Sequence, residues 1–434
     1  MDIAEITLAM GAAVVVLMML GVPLVFVTGG VAVVTLLATF GPNGLPLVAS
    51  RIYSFLDNYV LVAVPMFVMM ASVLERAGVA RDLYDAMHVW SGRLRGGVLL
   101  QTMIAAVVMA AMTGIVGGEI VLLGMVALPQ MLRLGYDRKL AIGTICAGGT
   151  LGTMIPPSLV LIIYGLTAQV SISDLFLAAF FPGLLLALAY TAYIGLRVAM
   201  NPDLAPTAAE EGRRLSLAEK LSASRALILP LLVAVAVLGS IYGGIASVSE
   251  AAAVGAAGAF LCAALRGRLD RVLVWEACRD TLRTCGMILW LTFGATAFIG
   301  VYGLIGGTRF INQVMLDLPL SPLGIVLVMM LVVFLLGMVM DWIGICFLTM
   351  PIFVPIVVAL GLDPIWFGIL FCLNVQIAYL TPPFGPSTFF LKSVAPPDVT
   401  LQEIYVSVLP FIGLQVVVLA AVLLYPPLAL WPVG

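Results

Sequence analysis

The sequence predicts an all-α polytopic membrane protein built from two inverted-topology repeats. Each repeat carries a re-entrant helical hairpin and a broken transmembrane helix. Three observations predict this. The 434-residue chain is 63% hydrophobic and only 10% charged, with mean hydropathy +1.20, whereas soluble domains carry about 25% charged residues. Apolar runs long enough to span a bilayer recur from end to end. One interrupted pattern also occurs twice. Glu119 lies 10 residues before Pro129 and 37 before Pro156-Pro157, and Asp341 lies 10 before Pro351. Gly135 and Asp137 precede Pro156 by 21 and 19 residues, and Gly361 and Asp363 precede Pro382 of Pro382-Pro383 by the same intervals. A single four-residue insertion between Pro351 and Gly361 reconciles the copies.

Residues 1–199 form the first repeat in this reading. The apolar stretch 4–40 would be roughly 55 Å as one helix, too long for a hydrocarbon core of about 30 Å. Gly21-Val22-Pro23 divides it into two spans. A loop is expected over 41–57 and a third span over 58–75. Residues 79–92 are amphipathic, with Val79, Leu83, Met87 and Trp90 opposite Arg81, Asp82, Asp85 and His88, as in a helix lying in the membrane interface. The first hairpin covers 97–132, with a Gly-rich tip from Thr113 to Glu119. The first broken helix covers 137–168, and a further span covers 174–199.

Residues 200–224 are the longest polar stretch and read as a cytoplasmic linker. The second repeat, 225–434, opens with spans near 225–241 and 247–265. An interfacial stretch at 268–284, a Gly-interrupted span at 286–305 and a short connector to Ser321 follow. The second hairpin covers 322–359, with its tip from Met340 to Gly344. The second broken helix covers 364–394, and a last span covers 403–425 with Trp431 as an interfacial anchor. Threading this order through a membrane with the N-terminus outside puts 18 of the 20 Lys and Arg residues on one side, leaving Arg51 and Arg309 opposite. The crowded side is then cytoplasmic, and the two hairpins open to opposite faces, as inverted repeats require.

Several function classes are excluded or disfavoured. Net charge is −2 with no basic tail, so no nucleic-acid partner is expected. The six cysteines form no CxxC pair and read as reduced packing residues. The first ten residues hold no Lys or Arg and read as the start of a span rather than a cleaved signal. No HExxH, Ser–His pair or paired-aspartate motif occurs in the apolar segments, which argues against an intramembrane enzyme. A channel fits poorly, because the breaks read as occluded sites.

Broken helices in hydrocarbon are tolerated only where buried in protein or lining a wet cavity. The runs Gly152 to Ser158 and Thr381 to Ser387 lose amide donors at their proline pairs and cannot close. Their freed carbonyls and hydroxyls suit Na⁺, and the half-helix N-termini offer positive dipole ends to an anion. Pro156, Pro157, Ser158, Pro382, Pro383, Gly385 and Ser387 are therefore the candidate substrate-binding positions. None of the four breaks holds Lys or Arg, so an anion would rest mainly on amides and hydroxyls. Glu119 and Asp341 have two readings: a cation or proton carrier, or an acceptor for tip amides that holds the turn.

The runs GGEIVLLGMVALPQMLRLGYDRKLAIGTICAGGTLGTMIPPSLVLIIYGLTAQVSISDLF (117–176) and DWIGICFLTMPIFVPI with LTPPFGPSTFFLKSVAPPDVTLQEIYVSVLPF (within 341–411) closely resemble the large membrane subunit of tripartite ATP-independent periplasmic (TRAP) transporters. GVPLVF (21–26) and YGGIASVSEAAAVG (242–255) extend the resemblance over essentially the whole chain. It implies secondary active import of a small organic acid across the bacterial inner membrane. Na⁺ would be the coupling ion, with H⁺ as the alternative, and no cofactor is implied. The implied partners are a small four-span subunit and a periplasmic substrate-binding protein. An elevator is implied, in which the two hairpins and two broken helices move against the other spans. By motif position the sodium sites are Gly117, Gly118, Gly152 and Thr153, and Met340, Asp341, Gly344 and Thr381. The first tip reads Gly-Gly-Glu where sialate-type members are Ser-rich, so Glu119 joins the candidates. GEIVLLG and APPDV resemble the branch associated with 2-oxoacids, mannitol and chloroaromatic acids. A stand-alone Na⁺- or H⁺-coupled dicarboxylate symporter of related elevator fold is the alternative.

Overall fold

The computed structural model describes residues 2–91, 95–114, 116–206 and 225–434. The predicted linker lies outside the described residues from 207 onward, as do the side chains of His88 and Trp90. Among the described residues every regular element is helical. Gly21, at φ +79°, turns the chain between α1 (Ile3–Met19) and α2 (Leu24–Phe40), so the stretch 4–40 is two helices. Residues 41–57, expected as a loop, are instead mostly α3 (Leu45–Leu56). Pro46 sits in its first turn, and Leu45, Val48, Ile52 and Phe55 recur at helical spacing. Arg51 and Asp57 had suggested a loop, but they stand on the exposed face and end of this amphipathic helix.

A 3-10 turn at Tyr59–Val62 leads into α4 (Ala63–Arg76), and α5 (Val79–Ser91) follows. The apolar face of α5 is covered by protein: Val79, Leu83 and Tyr84 are buried. The Tyr84 hydroxyl donates to Gln130 Oε1 at 3.0 Å, and Gln101 Nε2 donates to the Tyr84 carbonyl at 2.8 Å. The first hairpin is α6 (Gly97–Thr113) and α7 (Gly118–Arg133). The first broken helix is α8 (Arg138–Thr150), a 3-10 turn Leu151–Thr153, and α9 (Leu159–Ala168). Helix α10 (Ile172–Met200) completes the first half, with Ser171 accepting from the Asp174 amide.

The second half holds α11 (Ile228–Tyr242), α12 (Val248–Leu265) and α13 (Arg271–Leu304). Ser247 and Glu250 close a reciprocal cap on α12. The expected division at 284–286 is absent: α13 runs unbroken for 34 residues. Gly286 has open space where a side chain would be, and a helical glycine costs only about 1 kcal/mol. The expected connector contains α14 (Gly307–Leu316). The second hairpin is α15 (Pro322–Gly337) and α16 (Trp342–Ala359), and the second broken helix is α17 (Pro364–Leu380) and α18 (Pro386–Lys392). Helices α19 (Leu401–Leu424) and α20 (Pro427–Leu430) end the chain.

The duplicated spacing corresponds to duplicated conformation. Gly135 and Gly361 have φ +78° and +72°. Asp137 and Asp363 each cap the next helix, accepting from Leu140 N at 2.8 Å and from Ile365 N at 2.6 Å. Pro129 and Pro351 both lie inside the returning hairpin arm, and both Pro-Pro bonds are cis.

The helices pack in two groups. The inner group centres on the broken helices. Tyr164 on α9 donates to the Pro364 carbonyl at 2.6 Å and stacks on Phe371 with centroids 5.8 Å apart. Helices α10 and α19 also pack here, Tyr190 and Tyr193 both meeting Phe411 edge-on. In the outer group, α13 packs along α2, α3 and α4. Gly29 and Gly294 let α2 and α13 approach closely, and Arg76 on α4 bridges Glu276 and Asp280 on α13.

Candidate functional site

Each hairpin tip meets the broken helix of its own half. At the first tip Gly114 ends α6 in the left-handed region, φ +60°. A Cβ there would collide with the Pro157 carbonyl, and the Leu159 amide donates to the Gly114 carbonyl at 3.2 Å. Tip and break are therefore joined backbone to backbone. Gly117 (φ +120°) lies under the Phe390 ring, 3.1 Å from its nearest atom to a Cβ position. At the second tip Asp341 caps α16, accepting from Ile343 N at 3.2 Å, and Tyr379 before the second break donates to it at 3.4 Å.

The two breaks differ in exposure. Residues 151–160 are buried throughout, so Gly152, Thr153, Pro156, Pro157 and Ser158 are all closed away. Ser158 Oγ donates to the Thr153 carbonyl at 2.7 Å, and Thr153 Oγ1 donates to the Thr150 carbonyl at 2.9 Å. In the second break Pro383 and Phe384 are exposed, Thr381 and Pro382 half-buried, and Gly385 and Ser387 buried. Thr381 Oγ1 donates to the Ile377 carbonyl at 2.7 Å. Ser387 Oγ is buried without a partner among the described residues. A hydroxyl that gives its proton to a carbonyl keeps its lone pairs for a cation, so Thr153 and Thr381 retain donor capacity toward Na⁺.

Glu119 and Asp341 differ in local geometry. Asp341 caps α16. Glu119 lies in the first turn of α7, where Gly117, not Glu119, precedes the helix. It accepts from Thr113 Oγ1, is only 1% exposed, and its Oε2 has no partner among the described residues. It lines a cavity of about 230 Å³ with Thr113, Gly118, Ser72, Glu75 and Asp280. The Glu75 carboxylate comes within 3.4 Å of a Cβ position at Gly118. The predicted first ion set thus divides: Gly118 and Glu119 face α4, while Gly152 and Thr153 lie inside the buried break. In the second set Met340 is buried, and Gly344 falls in the first turn of α16, where its missing side chain makes room for Leu24.

Sequence reasoning missed Glu75, which ends a span beside Arg76 and looks like an ordinary solvated acid. It also missed a buried polar group between the broken helices. Gln376 Nε2 donates to Thr150 Oγ1 at 3.1 Å, while Gln376 Oε1 and both terminal atoms of Gln415 are buried without partners among the described residues. The signal was available, since amides inside apolar spans are costly unless they meet a partner.

Among the described residues no group of three or more His, Cys, Asp and Glu side chains is placed to hold a metal. Among the described residues six helices are long and apolar enough to cross a membrane, and α6, α15 and α17 are shorter apolar helices.

Comparison with known proteins adds three findings. Residues 12–428 match the family described as the tripartite ATP-independent periplasmic transporter, DctM component. The chain is 31% identical over 399 residues to the C4-dicarboxylate TRAP transporter large permease protein of Pseudomonas aeruginosa, covering 90% of each. It is 30% identical over 380 residues to the ectoine/5-hydroxyectoine large permease protein of Ruegeria pomeroyi, covering 86% of this chain and 85% of that one. In fold it resembles the Alcanivorax borkumensis YdaH transporter, with TM-score 0.65 at 17% identity over 92% of this chain and 91% of that one.

Proposed function

The chain belongs to the DctM family of tripartite ATP-independent periplasmic transporters, an integral membrane protein of the inner membrane and not an enzyme, and from that premise we propose that it imports a small organic acid against its gradient by coupling to Na⁺. The acid is handed over by a periplasmic binding protein, and a small four-span subunit completes the scaffold. The two halves act as inverted repeats, and the inner group moves as an elevator. Relatives named for C4-dicarboxylates and ectoine support a small carboxylate. The GEIVLLG and APPDV features make 2-oxoacids the first class to try within it.

One observation carries the reading: two breaks recur at corresponding positions, of which the first is closed off and the second is open. A carrier that exposes one side at a time needs this inequality between equivalent sites. Na⁺ fits the carbonyl-and-hydroxyl character of Thr153, Gly152, Thr381 and the Met340–Asp341 tip, since hard monovalent cations prefer oxygen donors. The substrate anion rests against Ser387, Gly385 and the start of α18.

Uptake into proteoliposomes holding this chain, the small subunit and the binding protein tests the proposal. Accumulation of a labelled 2-oxoacid or C4-dicarboxylate is expected only with an inward Na⁺ gradient. Equal accumulation under a proton gradient alone would replace Na⁺ by H⁺. Uptake without the binding protein would favour the stand-alone symporter.

A further inference from the structure

A cavity of about 400 Å³ lies where α3 and α13 of the outer group meet α9 and α16 of the inner group. Its floor is apolar: Phe55 on α3 and Phe347 on α16 meet edge to face, centroids 5.6 Å apart. Its walls are polar, with Ser54, Asn58, Thr167, Gln169 and Thr296. Among its lining residues a single one is charged, Arg51, and none is acidic. No carboxylate among the described residues pairs with Arg51.

Two backbone features fit this cavity around that cation. Gly300 on α13 leaves room for the Arg51 stem, whose Cγ lies 3.2 Å from a Cβ position there. Gln169 ends α9 at φ +55°, the one non-glycine described residue with positive φ. Glycine or asparagine would occupy that conformation at lower cost. Strained residues of this kind collect where a side chain has work to do.

We propose that this cavity is an anion subsite in which Arg51 receives the carboxylate or sulfonate of a small organic acid, with Gln169, Asn58 and Ser54 completing its hydrogen bonds. Guanidinium groups suit this task, because their planar fork matches a carboxylate. The location suits a waiting position. Phe347 is six residues beyond Asp341, about 9 Å along α16 from the second tip. On the Lys/Arg distribution Arg51 lies on the outer side, where substrate arrives. The subsite supplies the cation that both breaks lack. It rests on the transport reading for its purpose, not for its chemistry.

Labelling tests the chemistry without transport. In the full chain carrying Cys278→Ser and Cys285→Ser, the remaining native cysteines are buried. Ser54→Cys is then labelled with sulfonatoethyl and with trimethylammonioethyl methanethiosulfonate. The negative-to-positive rate ratio should fall about tenfold when Arg51→Gln is added, and Arg51→Lys should keep most of it. Succinate should slow labelling more than glycerol does. An unchanged ratio, or equal protection by glycerol, overturns the anion subsite. In proteoliposomes Arg51→Gln should raise KM about tenfold with Na⁺ dependence retained, and an unchanged KM overturns its role in the substrate path. If the wild-type complex takes up no acid at all, the transport reading fails while the labelling ratio still decides the subsite.

Discussion

Asp341 and Glu119 occupy the same place in the repeat but sit differently, Asp341 capping α16 and Glu119 lying within the first turn of α7. Asp341 is held by its cap and by Tyr379. Asparagine caps as well as aspartate, and alanine costs about 1 kcal/mol. Asp341→Asn should therefore melt with the wild type in detergent, and Asp341→Ala a few degrees lower. If the charge serves the coupling ion, both variants lose Na⁺-dependent uptake alike; uptake that survives in Asp341→Asn reduces Asp341 to a cap. Farther out, Arg138 joins α8 to Asp398 at 2.6 Å and to Glu403 at 2.9 Å. The Arg138 hydrogen bond holds the Asp398 carboxyl below its usual range. A depressed carboxylate stabilises the fold above its unfolded value and loses that contribution as pH falls through the native one. This tie should be whole above about pH 4 and loosen only below it. Hydrogen-exchange protection over 395–403, measured against the intrinsic rate at each pH, should fall below that pH in the wild type, and already at neutral pH in Arg138→Gln.

At the level of helices, the most demanding contacts are glycines set against neighbours that cannot move. A Cβ at Gly368 on α17 would lie 2.9 Å from Tyr164 Cδ1. Tyr164 is pinned by its bond to the Pro364 carbonyl. Gly368→Ala should thus cost about 1–3 kcal/mol, read as a lower unfolding temperature, whereas Gly286→Ala on open surface should be neutral or stabilising. Gly114→Ala pushes directly on the first break and should abolish uptake even where the protein still folds. Most helices were legible because apolar runs, prolines and caps agree along them. The tips and breaks were legible because Gly135, Asp137 and Pro156 recur as Gly361, Asp363 and Pro382. Helices α3 and α14 were hidden because charged residues on a helix face resemble a loop. The length of α13 was hidden because a glycine within a helix looks like a break. The Arg51 cavity was out of reach, since it assembles side chains from α3, α9 and α13 that no spacing connects.

On the scale of the whole molecule, the inner and outer groups make contact across a seam that includes Phe55 and Phe347. If the inner group travels, fixing that seam stops it. Joining Phe55→Cys to Phe347→Cys with a bis-maleimide should abolish uptake. A disulfide between Val233→Cys and Gly258→Cys should leave uptake unchanged. There a Cβ at 258 would stand 3.7 Å from the Val233 Cβ, within disulfide range, and both residues belong to helices α11 and α12. Uptake through the cross-linked seam would rule out travel of the inner group past α3.

Helix α13 reaches about 51 Å, well beyond the roughly 30 Å of a hydrocarbon core. Trp275 and Trp290 on it are exposed, at 70% and 59%, and stand about 22 Å apart along its axis. Tryptophan settles at the headgroup level. The helix must therefore lean, or lay its Arg271 end along the headgroups. Lipid chain length then becomes a setting of the machine: acyl chains too short or too long would re-tilt the helix that carries α2, α3 and α4. Turnover should peak at one chain length and fall on either side, with the peak displaced in Trp275→Ala.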